Sequence, residues 1–165
     1  DTHIFVVWVD NEAGVLARVV GLFSGRGYNI ESLAVAEIDQ TKNISRITIV
    51  TTGTPQVIDQ IKLQLKKLVP VHKVADFKRE DKKVIFKEMA LLKFVGKKTK
   101  IEKCLKACKN LNPVILDKTK QSVVIQITAL RKEIDKMSKK LKALGLVSTS
   151  RTGAIAMTRG AEVFK

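Results

Sequence analysis

One order of elements occurs twice along this chain, about 80 residues apart, and that repeat sets the strongest limit on its fold. Hydrophobic periodicity predicts a strand at His3–Val9, a helix after Asp10, strands at Tyr28–Glu37 and Ile44–Thr52, a helix from Thr54-Pro55, and a strand at Val69–Phe77. The charged run Lys78-Arg79-Glu80-Asp81-Lys82-Lys83 follows, and then the order returns. Its second copy reads as a strand at Val84–Val95, a helix at Lys98–Asn110 and strands at Asn112–Asp117 and Ser122–Ala129. A helix with Leu130, Ile134, Met137, Leu141 and Leu144 on one stripe comes next, ended by Gly145 before a last strand at Leu146–Met157. Each set is βαββαβ, the split βαβ arrangement. The expected class is therefore α+β, with two tandem ferredoxin-like domains at 1–78 and 84–165. A chain of 165 residues is long enough for two small cores of this kind.

Chemistry concentrates in Asp10–Leu33. Asn11 is a candidate helix cap, and Gly14 follows three residues later, so unpaired N–H groups should project from the helix start. Leu16, Val19, Val20 and Phe23 have the spacing of one apolar face, and Gly25 and Gly27 end the helix. This reading places Asn11 and Asn29 together at one end of the sheet, beside a helix N-terminus suited to an anion. The N–H groups of Gly14, Val15 and Leu16 could hold a carboxylate, while Asn11, Asn29 and Ile30 supply acceptors for an ammonium group. The same residues fit a structural account, in which Asn11 caps, Gly14 relaxes a turn and Asn29 ends a loop. His3–Val9 is apolar at nearly every position, so its second face needs cover from a partner subunit or the second domain.

Other function classes find little support. No Ser–His–Asp set can be assembled from His3 and His72, and Gly25-Arg26-Gly27 matches no phosphate-binding loop. Cys104 and Cys108 fall on the apolar stripe of a predicted helix and read as core thiols rather than metal ligands, so no metal site is expected. Of the net charge of +15, +14 lies from Arg79 onward, where 22 basic residues face eight acidic ones. That half could be a solvated lysine surface, dock an acidic protein or bind nucleic acid. Against nucleic acid stand the lysine-dominated charge and the single Trp and single Tyr available for stacking. No apolar run reaches the roughly 18 residues of a membrane span. With no basic-then-apolar leader at Asp1, the expected location is the cytoplasm.

The segments NEAGVLARVVGLF, RGYNIESL and SRITIV resemble the amino-terminal ACT domain of the small subunit of acetohydroxyacid (acetolactate) synthase, closely through about Phe77. The closing RTGAIAMTRG is similar to that family's carboxy-terminal ending. The resemblance implies a non-catalytic regulatory subunit that activates a separate large catalytic subunit and confers valine feedback in branched-chain amino acid biosynthesis. It also implies a homodimer through the ACT domains, with valine between them held by the residues matching Asn11, Gly14, Val15, Leu16, Asn29 and Ile30, and with Ala36 kept small to line the pocket. Thiamine diphosphate, a divalent metal (Mg) and FAD would belong to the catalytic subunit, leaving no cofactor in this chain. The Ile38–Asn43 loop and the basic half are expected to touch that subunit, with no nucleic acid and no membrane as partners. Two rival readings are a basic nucleic-acid-binding protein and an ACT amino-acid sensor with another target.

Overall fold

The computed structural model describes residues 1–163. Contacts divide the chain into two compact units, Asp1–Ile85 with the segment from Ala154 onward, and Phe86–Gly153. The first unit holds β1 (Thr2–Asp10), α1 (Val15–Gly25), β2 (Ser32–Asp39), β3 (Ile44–Thr52), α2 (Pro55–Lys67) and β4 (Val71–Lys78). Its sheet is antiparallel in the order β2-β3-β1-β4, leaving β2 and β4 as edges. In β1, Phe5, Val7 and Val9 turn to one face and meet Val15, Val19, Phe23, Ile58, Ile61 and Leu65 of the helices. Burying each such side chain contributes roughly 1.5–3 kcal/mol. α2 starts as its sequence predicts, with the Thr54 hydroxyl accepting from Val57 N–H and Pro55 in the first turn.

The other face of this sheet carries Ile4, Val6, Thr48 and Val50, all buried. The chain itself supplies cover here: the Ser32 hydroxyl accepts from Ala154 N–H at 3.0 Å, and Arg46 donates to the Ala156 carbonyl. The helix stripe differs from the predicted one. Val15, Val19 and Phe23 are buried, whereas Leu16 is 38% exposed. The second strand starts at Ser32 rather than Tyr28 because the preceding residues close the helix. Gly27 takes φ +71°, its N–H bonds Ser24 O and the N–H of Tyr28 bonds Phe23 O, the paired bonds of a Schellman ending.

The second unit takes in most of β5 (Val84–Val95), then α3 (Lys98–Ala107), a 3-10 turn, β6 (Val114–Lys118), β7 (Ser122–Ala129), α4 (Arg131–Lys142) and β8 (Leu146–Arg151). Its sheet runs β6-β7-β5-β8. Leu92, Phe94, Ile101, Cys104, Cys108, Val123, Ile125, Ile134 and Leu141 form its core. Both thiols are fully buried, as their helical spacing implies, and Cys104 Sγ–H donates to Leu144 O. The predicted last strand is two strands, β8 and β9 (Ile155–Thr158), because Gly153 turns into the left-handed region at φ +85°. β9 pairs β5, whose first residues, Val84 and Ile85, belong with it to the first unit.

A feature the sequence did not announce lies in the second unit. Glu88 is 1% exposed, and its carboxylate is held by Arg131 at 3.1 Å and by two nitrogens of Arg151, which also binds Asp135. The neighbouring carboxylates hold the Arg151 guanidinium above its usual range against the opposing effect of burial.

Candidate ligand-binding site

The turn Asp10–Gly14 leads from β1 into α1, and both sides of it are tied down. Asp10 N–H bonds Pro70 O at 2.9 Å and the Asp10 carboxylate meets His72 Nε2, anchoring the turn to the start of β4. Asn11 N–H bonds Asn43 O at 2.7 Å, anchoring it to the β2–β3 loop, where Asn43 adopts φ +53°. Asn11 is exposed and does not cap the helix. Gly14 holds the cap position at φ +85°, and no side chain there bonds the helix start. The cap expectation fails because the left-handed turn at Gly14 takes the cap position itself, three residues beyond Asn11.

The open helix start survives that correction. Val15 N–H turns back to Glu12 O at 3.3 Å, and Arg18 N–H bonds Gly14 O. Among the described residues, the N–H groups of Gly14, Leu16 and Ala17 have no acceptor. A Cβ added at Gly14 meets no atom within 4 Å, so space in front of these donors is open. Donors of this kind, at the positive end of an 11-residue helix, suit a carboxylate. Leu16 stands exposed beside them, while the Val15 side chain points into the core.

Asn29 is not near Asn11. On β3, Asp10 is paired with Ile44, whereas Ser32 is paired with Val50 and Asn29 O accepts from the Thr51 hydroxyl at 2.6 Å. Seven residues of β3 separate these ends, a span of about 23 Å. The two asparagines therefore occupy opposite ends of one sheet. The expectation fails because β1 and β2 both run antiparallel to β3, so α1 returns the chain to the far end of the sheet and β2 begins at the end opposite to where β1 finishes. Ile30 is partly buried against the core next to Asn29. Ala36 lies opposite Arg46, on the face away from the helices, and lines a depression of about 230 Å³ with Thr48, Ile155 and Met157. Arg46 also lies 5.4 Å from the Trp8 ring, with Lys73 5.3 Å from the same ring, and burial lowers its pKa. No group of three or more potential metal ligands occurs among the described residues, and none of their helices is long and apolar enough to cross a membrane.

These features define a class: an α+β protein of tandem ferredoxin-like domains whose leading domain is of the ACT type. Residues 5–73 match the family described as the AHAS small subunit-like ACT domain, and residues 87–160 match the small subunit of acetolactate synthase. The acetolactate synthase small subunit of Aquifex aeolicus is 36% identical over 158 residues, covering 95% of this chain and 81% of its own. That of Buchnera aphidicola subsp. Baizongia pistaciae is 37% identical over 156 residues, covering 94% and 96%. The crystal structure of the Thermotoga maritima acetolactate synthase small subunit superposes with a TM-score of 0.85 at 31% identity, over 98% of this chain and 99% of that one. This chain belongs to the acetolactate synthase small subunit family.

Proposed function

We propose that the chain is a non-catalytic regulatory subunit that activates the catalytic subunit of acetolactate synthase in the cytoplasm and makes it sensitive to valine. Valine binds between the leading domains of two copies. The observation that carries this reading is the separation of Asn11 from Asn29 on a sheet whose β2 edge is free. Antiparallel pairing of β2 with its copy sets the Ser32 end of one against the Asp39 end of the other. Asn29 and Ile30 of one protomer then approach Asn11 and Gly14 of its partner, and two equivalent sites close together. The edge suits such pairing, since Val35 and Ile38 are about half exposed. At each site the N–H groups of Gly14, Leu16 and Ala17 hold the carboxylate, through charge-assisted bonds of about 1.5–3 kcal/mol each. The asparagines accept from the ammonium group. Thiamine diphosphate, magnesium and FAD belong to the catalytic subunit. Feedback requires valine to favour one arrangement of the dimer over another by about 1–3 kcal/mol.

The test is reconstitution with a catalytic subunit, combined with calorimetric titration of valine, leucine and isoleucine. Raised activity that valine reverses, with one valine bound per protomer, is the expected result. A protein that binds no branched-chain amino acid and leaves the catalytic subunit unchanged overturns the reading.

A further inference from the structure

Away from the helix start, α1 and α2 frame a second feature. A shallow groove of about 550 Å³ runs between them, with Gly21 and Gly25 on its floor, Leu68 on one wall and Arg18, Arg26 and Lys67 around it. The two glycines are four apart and so share one helix face. Glycine is the poorest helix former after proline, yet Gly21 sits in mid-helix. Nothing in this chain requires it: a Cβ at Gly21 or Gly25 meets no atom within 4 Å. Bare helix backbone of this kind permits close approach from outside. The charge around it is of one sign. α1 carries no acidic residue, and none of Arg18, Arg26 and Lys67 forms an ion pair with another described residue.

We infer that this groove is the docking surface for an acidic helical segment of the catalytic subunit. The inference rests on the regulatory-subunit reading. A helix laid along the Gly21–Gly25 face brings carboxylates within reach of three cations that form no ion pair with another described residue. Complementary charge then sets orientation and speeds encounter. The groove occupies the outer side of the helices, whereas the proposed dimer uses the β2 edge, so both contacts can form at once.

The test compares two charge reversals in the full-length protein, titrated into a catalytic subunit while activity is followed. One is Arg18→Glu/Arg26→Glu/Lys67→Glu. The other is Lys136→Glu/Lys139→Glu/Lys140→Glu on α4, which changes net charge equally. The groove variant should raise the half-activating concentration at least about tenfold and flatten its salt dependence, with thermal unfolding close to that of the unaltered protein. The α4 variant should stay within about threefold, since the groove, rather than the basic half expected from the sequence, makes the contact. Gly21→Gln, which fills the groove without adding charge, should also weaken activation. Activation by the groove variant at the unaltered midpoint overturns the inference, as does an equal loss in the α4 variant. Loss of dimerisation in the groove variant would assign the groove to a second copy instead and overturn it as well. If the unaltered protein does not activate, the regulatory-subunit reading falls, and the docking surface with it.

Discussion

Gly14 offers the sharpest test of the ligand site, because three substitutions there separate backbone strain from charge. At φ +85° an L-residue incurs about 1–2 kcal/mol, but the open space around the position adds no clash. Gly14→Ala should therefore lower the unfolding temperature by roughly 2–8 °C for a chain of this size. Gly14→Asn should lower it less, since asparagine tolerates the left-handed region best. Gly14→Asp has nearly the same shape as Gly14→Asn but places a carboxylate about 5 Å from the proposed position of the valine carboxylate. Repulsion there amounts to roughly 1–3 kcal/mol between the limits of bulk water and a protein surface, or about 5- to 150-fold in affinity. The position is exposed, so the penalty should shrink as salt is raised. Calorimetric titration of valine into the Asn and Asp variants at two ionic strengths measures the difference directly. Equal affinity of the two variants, matching the unaltered protein, refutes the claim that the start of α1 holds the ligand's carboxylate.

Three further outcomes follow from the packing. In the proposed dimer, Val35→Lys sets a charge near the middle of β2 against its own copy. Sedimentation should show a weaker dimer, and valine affinity should fall in parallel. Glu88→Gln removes the buried negative charge that Arg131 and Arg151 share, and denaturant unfolding should report a loss of about 3 kcal/mol. Burial raises the Cys104 thiol, and burial with the neighbouring Cys104 pushes Cys108 up to about 11. The native protein should therefore resist thiol reagents at pH 8. The unfolded chain loses these protons first, from about pH 9, so stability should fall as pH rises from about 9 to about 11, as measured by urea melts.

How much of this the sequence disclosed depends on whether a property was periodic or positional. The continuous apolar run of β1, the N-cap of α2 and the spacing of Cys104 and Cys108 are local signals, and the structure places them accordingly. The start of α1 differs because Asn11 has good cap chemistry, whereas Gly14 turns left-handed and takes the cap position itself. Likewise, nothing local marks Glu88 as buried. Its partners Arg131 and Arg151 come from later elements that no local pattern connects to it. The break at Gly153 falls inside Leu146–Met157, a stretch long enough to read as one strand.

The error about Asn29 carries the most physical content. Had both asparagines stood at one end of the sheet, a single protomer could have enclosed its ligand, and binding would not depend on protein concentration. With the register found, half of the polar groups for an amino acid lie about 23 Å from the other half. On the proposed function, a second copy in antiparallel contact closes the site without rearranging the sheet. Ligand binding and dimerisation then become one linked equilibrium: valine must tighten the dimer by the same factor by which the dimer tightens valine. Dilution of the protein below its dimer dissociation constant should release valine, and saturating valine should lower that constant. A dimer whose dissociation constant is unchanged by saturating valine would contradict the shared site, whichever residues line it.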